Sequence, residues 1–325
     1  MRFALMIEPQ QGLSYGDQVA IAKRAEANGF EALFRSDHYA SFPGATGQPT
    51  TDAWTVIAGL ARETDRLSLG ALVSPVTFRH AGTFAKIVTT ADEMSGGRIE
   101  VGVGAGWNDL EHRQLGLPFP SLGERMDAVE DQLAILHGLW GEPDGWSYDG
   151  KTATIRDALF YPKPVVVPGR PIGANGAARP SIIFGGSGAP RGARLTATWC
   201  DEFNTQGSPA IAADNFAKVD AACAAIGRDP ATLVHSVMTG VLVGRTDDEV
   251  RTRELALLEA FGDDAGGDEW IEERRDRWIH GTAEPAREMV RRFAEAGVER
   301  LMLQDFIPWD LDHIDVMGEA LIGRV

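Results

Sequence analysis

Among the seven histidines and 47 acidic residues of this 325-residue sequence, two side chains stand out as able to move protons: His38, in the run Ser36-Asp37-His38-Tyr39, and Glu8, in Glu8-Pro9-Gln10. An imidazole titrates near neutrality, and a neighbouring carboxylate can fix which ring nitrogen carries the proton. Asp37 adjoins the histidine, and Glu8 is a second carboxylate that could tune it. As a dipeptide, Asp-His is equally well read as a loop histidine beside a turn-capping aspartate. Position favours chemistry, because both His38 and Glu8 directly follow short apolar runs.

Two glycine-rich runs offer places for a ligand. Gly102-Val103-Gly104-Ala105-Gly106 has the spacing G-x-G-x-G and lacks the third glycine of the dinucleotide fingerprint, so a Rossmann site is not expected. It reads either as a flat surface on which a planar ring could lie or as tight strand-to-loop packing. Gly185-Gly186-Ser187-Gly188 precedes a helix predicted over 191–198, and backbone amides in that position can hold a phosphate. It has no Gly-Lys-Ser/Thr continuation, which argues against nucleoside triphosphate chemistry.

Other chemistries find no residues to carry them. The seven histidines form no H-E-x-x-H, and Glu111-His112 has no metal-ligand partner at helical spacing, so no metal site is expected. There is no G-x-S-x-G elbow. Trp54, Trp107 and Trp140 are expected to be core or lid packing. The formal charge of −16 argues against nucleic acid or an anionic membrane as partner. No apolar run is long enough to span a membrane, the N-terminus reads as a first strand, and Cys200 and Cys223 make no disulfide framework. These features predict a cytoplasmic protein acting on a small-molecule substrate.

The elements that must position these residues alternate along the whole chain. Apolar runs predict strands over 2–7, 31–35, 67–73, 99–103, 181–184, 202–204, 234–243 and 300–304, with amphipathic helices between them. Eight such strands suffice to close a barrel, so the fold class expected is α/β, a (β/α)8 TIM barrel forming a single domain over 1–325. Helix signals agree: Ser14 and Asp17 form a capping-box pattern, and Met289, Val290, Phe293 and Ala296 make a stripe that stops at Gly297. Three stretches break the rhythm: 41–52, 141–180 with a hairpin predicted around Asp149-Gly150 and a loose run from Gly169 to Pro180, and the acidic 261–281. They are expected to be insertions at the carboxyl-end rim, where barrels of this kind carry their sites.

The stretch LSLGALVSPVTFRHAGTFAKIVTTADEMSGGRIEVGVGAGWNDLEHRQLG resembles the signature region of the luciferase-like flavin and deazaflavin oxidoreductases. The SDH run, the GGSG before a helix and the ending GTAEPAREMVRRFAEAGVERLMLQDF are similar too, in the same order and across nearly the whole chain. The resemblance implies a cofactor ring at the carboxyl-end rim and a non-proline cis peptide at Leu72-Val73 that supports the ring from behind. It implies His38 as the active-site histidine, Gly104, Ala105 and Gly106 as backbone beside the ring, and Gly186, Ser187 and Gly188 as the phosphate turn. The start MRFALMIEPQQGLSYGDQ and the SDHY loop are most similar to the branch that uses coenzyme F420, a deazaflavin hydride carrier. An FMN-dependent monooxygenase supplied by a separate flavin reductase is the alternative, and a non-catalytic flavin-binding protein a third reading. A basic groove near Arg79, Arg179, Arg191 or Arg194 would favour the longer acidic tail of F420. Sugar-phosphate dehydrogenases of the family carry a glutamate directly after the G-x-G of strand four where this chain has Trp107, which argues against glucose 6-phosphate as substrate. A homodimer is the family expectation.

Overall fold

The structure, a computed structural model, describes residues 1–173 and 176–325; Ala174 and Asn175, within the loose Gly169–Pro180 run, lie outside the described residues. Near-continuous apolar runs suit strands that are covered on both faces. Among the described residues eleven strands form: β1 (Arg2–Ile7), β2 (Ala32–Arg35), β3 (Ser68–Pro75), β4 (Ile99–Gly104), β5 (Trp146–Asp149), β6 (Thr154–Ala158), β7 (Ser181–Gly185), β8 (Glu202–Gln206), β9 (Val234–Val243), β10 (Ile279–Gly281) and β11 (Arg300–Asp305), of which β5 and β6 contain no buried residue. Eight of them pair in parallel, in the order β1, β2, β3, β4, β7, β8, β9, β11, and β11 returns to β1. The barrel expected from the sequence is closed.

The helices packed around it are α1 (Tyr15–Ala27), α2 (Ala53–Glu63), α3 (Ala81–Ser95), α4 (Asp109–Leu115), α5 (Leu122–Gly141), α6 (Pro190–Trp199), α7 (Pro209–Ala225), α8 (Asp247–Phe261), α9 (Asp268–Glu272), α10 (Ala283–Glu295) and α11 (Leu311–Leu321). The predicted Ser14–Asp17 capping box is formed at the start of α1. Strand alternation separates two layers. Phe3, Leu5 and Ile7 face the helices, whereas Ala4 and Met6 join Ala32, Phe34, Ile183 and Met302 inside the barrel. No described helix is long and apolar enough to cross a membrane.

The amino-end of the barrel is lined by charge. Arg300 is 1% exposed; its guanidinium lies 2.7 Å from Glu100, 3.0 Å from Glu202 and 2.6 Å from Glu31, above the Phe34 ring at 5.0 Å. Burial holds the Glu31 and Glu202 carboxyls above their ordinary value, while Arg300 overcomes burial at Glu100 and holds it below. Arg300, Glu100 and Glu202 line a pocket of about 470 Å³ at the amino-end, whereas the residues singled out from the sequence lie at the carboxyl-end.

The interruptions differ in part from their expected form. The hairpin around Asp149-Gly150 is present as antiparallel β5 and β6. The return after it is not confined to the carboxyl-end rim: Arg170 pairs with Asp92 and reaches the Ile99 carbonyl at the start of β4. Within 261–281 the chain forms α9 and then β10, which extends the sheet beside Val241–Val243, because Trp278 and Ile279 bury against Phe261, Phe306 and β9.

Candidate active site

The carboxyl-end rim encloses a cavity of about 640 Å³, within the range of small-molecule and cofactor sites. Glu8, His38, Leu72 and Val73 line it, as do Gly104, Ala105 and Gly106 after β4 and Gly185, Gly186 and Ser187 after β7. Five strand ends thus converge on one space. Two residues nominated from sequence stand apart: Asp37 is buried behind the wall, and Gly188 lines an adjoining groove between α6 and α7.

His38 is held by a residue that its sequence neighbourhood does not reveal. Its Nδ1 lies 2.9 Å from Glu111 Oε1, and the other Glu111 oxygen accepts the Tyr39 amide at 2.8 Å. Glu111 is on the first turn of α4, 1% exposed, and acts as a fixed acceptor. In the neutral imidazole this acceptor places the proton on Nδ1 and leaves the lone pair on Nε2, which has no partner among the described residues. This is a base held in one tautomer at the wall of a cavity.

Asp37 does not fill that role. Both its oxygens accept from Arg79, which also donates to the Tyr39 hydroxyl and pairs with Asp52. Burial alone would raise the Asp52 carboxyl, but Arg79, the Thr55 amide and the Tyr39 hydroxyl bring it down to about 2. Burial also opposes the charge on Arg79, and Asp37 and Asp52 more than offset it, so the guanidinium stays charged. The cluster fixes the loop that carries His38 to the start of α2.

Glu8 faces the cavity from β1, where its oxygens accept from Gln10 Nε2 at 2.7 Å and Gln304 Nε2 at 2.5 Å. Gln10 in turn accepts from the Ser36 hydroxyl. The carboxylate is fully ordered by neutral donors and makes no contact with the His38 ring.

The back wall is a bulge. The Leu72-Val73 peptide is cis, as the resemblance implies, and the pairing of β3 with β4 shifts between Ala71 and Ser74. The glycines of β4 make room for it: a Cβ on Gly104 would meet Val73 Cγ2 at 2.6 Å, and one on Gly102 would meet the Ala71 carbonyl at 2.3 Å. Gly102 and Gly104 serve the tight packing that is one reading of the G-x-G-x-G run, and Gly104, Ala105 and Gly106 line the cavity.

At the far side, the Gly186 amide is spent on the Asn204 carbonyl at 2.9 Å. The amides of Ser187, Gly188 and Ala189 have no acceptor among the described residues, and α6 starts at Pro190 with no side-chain cap. Gly188 has φ +70, a left-handed conformation that glycine adopts freely, and a Cβ there would approach the Asn215 carbonyl at 3.0 Å. An anion fits these donors. The four arginines whose basic groove would favour F420 are each paired with carboxylates. Arg191 and Arg194 pair with Asp127 and Glu130, Arg179 with Asp201, and Arg79 with Asp37 and Asp52.

The mouth is aromatic. Trp107 is 67% exposed, not the packing residue expected, and stands edge-on to His38 and to Phe42, whereas Trp54 and Trp140 are core. His112 is buried between the Thr77 hydroxyl and the Asn108 carbonyl, and no group of three or more metal-ligating side chains occurs among the described residues. Sequence reasoning passed over Glu111. Its one signal is an acid at the third position of a helix that begins just after a rim loop.

Residues 1–307 match the family described as luciferase-like monooxygenase. An F420-dependent glucose-6-phosphate dehydrogenase of Intrasporangium calvum is 28% identical over 295 residues, 86% of either chain. Matches to further dehydrogenases of that name span less than half of their length, 45% and 46%. An FMNH(2)-dependent dimethylsulfone monooxygenase of Pseudomonas putida is 30% identical over 167 residues, 51% of this chain and 42% of that one. Among solved structures, an F420-dependent secondary alcohol dehydrogenase in complex with an F420-acetone adduct superposes with a TM-score of 0.79 at 21% identity over 98% of both chains. That likeness is one of fold.

Proposed function

Because the chain belongs to the luciferase-like monooxygenase family, we propose that it is an oxidoreductase that binds coenzyme F420 at the carboxyl-end rim and exchanges hydride with a small organic substrate. One observation carries the reading: the unpartnered His38 Nε2, the Val73 bulge and Ser187, whose amide is unpaired, surround one cavity of about 640 Å³, with the unpaired Gly188 amide in the groove that adjoins it. A planar ring fits against Leu72-Val73 and the Gly104–Gly106 backbone, and a phosphate fits the amides ahead of α6.

When bound, the deazaflavin supplies the hydride donor or acceptor. The chain supplies the rest. His38 takes the hydroxyl proton at Nε2 while the substrate carbon is oxidised, and returns it in the reverse direction. Glu111 fixes the ring and stabilises the imidazolium that forms, as an orienting carboxylate does in other bases. Glu8, Gln10 and Gln304 hold the polar end of the substrate in place. Asp37 acts through Arg79 by fixing the loop.

A second reading, an FMN-dependent monooxygenase supplied by a flavin reductase, is favoured by the four arginines. All are spent on carboxylates, so the acidic tail of F420 finds no ready-made basic groove. A homodimer is proposed in either case, on the family expectation. The test is a titration of the purified protein with F420 and with FMN, following tryptophan quenching, since Trp107 stands at the mouth. Tighter binding of F420 is expected. Tight binding of FMN alone would overturn the first reading in favour of the second.

A further inference from the structure

We infer that the substrate of this pocket is an uncharged organic molecule with an apolar body and one hydroxyl or carbonyl group, and that phosphorylated and carboxylated molecules are rejected. The inference rests on the oxidoreductase reading above and narrows it to a substrate class.

The charge inventory carries the argument. Among the described residues that line the cavity there is no lysine and no arginine; the ionisable ones are His38 and Glu8. Neighbouring cations are already committed. Arg79 is paired with two carboxylates, Arg35 is bonded to Gln18 and Thr51, and Lys218, in the adjoining groove, is paired with Asp214. A phosphate or carboxylate on the substrate would lose its hydration, gain no counter-charge and sit in the field of Glu8. A cation fares little better, because Glu8 is already held by Gln10 and Gln304 and no second acid lines the site.

The apolar surface says what does fit. Phe42, Trp107, Met238 and Phe306 ring the cavity beside His38, and the Phe42 ring lies 4.6 Å from the imidazole, edge-on. An indole left 67% exposed at a cavity mouth gains burial only when a ligand covers it. An apolar body packed there brings its hydroxyl to the one free nitrogen. Oxidation then balances as loss of a hydride from the carbinol carbon and of the hydroxyl proton to His38 Nε2, leaving a carbonyl; the reverse reduces one.

The test reads binding, not turnover. Affinity for F420 is measured first. Benzyl alcohol, its para-carboxylate, its para-aminomethyl analogue and glucose 6-phosphate are then titrated by calorimetry into the F420-loaded protein and into the cofactor-free protein held in saturating inorganic phosphate, which occupies the Ser187 and Gly188 amides so that only the substrate lining is compared. Benzyl alcohol is expected to bind about tenfold tighter than any of the charged compounds, the loss caused by about 1.4 kcal/mol of unpaired charge. Trp107→Ala is expected to weaken benzyl alcohol about threefold to tenfold and to leave the charged compounds where they were. Equal or tighter binding of a charged compound, or no binding of benzyl alcohol to either form, overturns the inference. Failure of F420 to bind counts against the oxidoreductase reading alone, because the lining belongs to the chain and the comparison on the cofactor-free protein still decides the charge preference.

Discussion

In His38→Ala, single-turnover hydride transfer at saturating cofactor and substrate is expected to fall by about 10²–10⁴-fold, with cofactor affinity changed by less than about threefold. His38 is the one residue on the cavity wall whose free nitrogen can take a proton while its other nitrogen is held, by Glu111 at 2.9 Å. The contacts proposed for the phosphate and the ring are elsewhere, at Ser187–Gly188 and Val73, so binding and proton transfer are expected to separate in this variant. Added imidazole is expected to restore part of the rate, since the deletion leaves a hole beside Phe42 and Trp107 of the right size. Glu111→Gln is expected to lose less, about tenfold to a hundredfold, because an amide oxygen still accepts from Nδ1 but no longer stabilises the imidazolium. An unchanged rate in His38→Ala would remove the proton role.

Arg300→Met is expected to destabilise the fold by about 3–5 kcal/mol, measured by denaturant unfolding at neutral pH. The guanidinium is 1% exposed and is shared by three carboxylates at the amino-end of the barrel. Removing it leaves Glu31 only the half-exposed Arg2 at 3.7 Å and strands the buried Glu100 and Glu202 with no ion-pair partner among the described residues. The pH dependence identifies the cause. In the variant, burial and mutual repulsion hold the folded-state carboxyl pKa values above their unfolded value of about 4.3. Stability is then greatest below that value and is lost as pH rises through the raised folded values, so the deficit is largest at neutral pH and shrinks on acidification. A deficit that does not change with pH would mean lost packing, including the contact with Phe34, and not stranded charge.

The eight strands could be read in the sequence because a parallel barrel buries both faces of each strand, leaving apolar runs with no alternation to decode. Their ends were less legible. The third strand continues through Ser74-Pro75 because it bulges against the glycines of β4, a register that only the neighbouring strand sets. His38, Glu8 and the two glycine runs were legible because each follows a strand end, where barrels place their chemistry. Glu111 was not, since it meets His38 across 73 residues on a helix of its own. The Asp37–Arg79 pair was hidden for the same reason, and adjacency in sequence pointed instead to His38. Arg191 and Arg194 suggested a basic groove, but charges on a helix face are claimed by whatever packs beside it, here Asp127 and Glu130 of α5.

The central claim is that the rim holds a deazaflavin with its ring against the Val73 bulge and within reach of His38. Its most direct test is a crystal structure of the protein grown with F420. The expected result is the phosphate on the Ser187 and Gly188 amides, the ring over Leu72-Val73, and the open ring face toward His38 Nε2. A cofactor found with its phosphate away from those amides, or with its ring screened from His38, would contradict it.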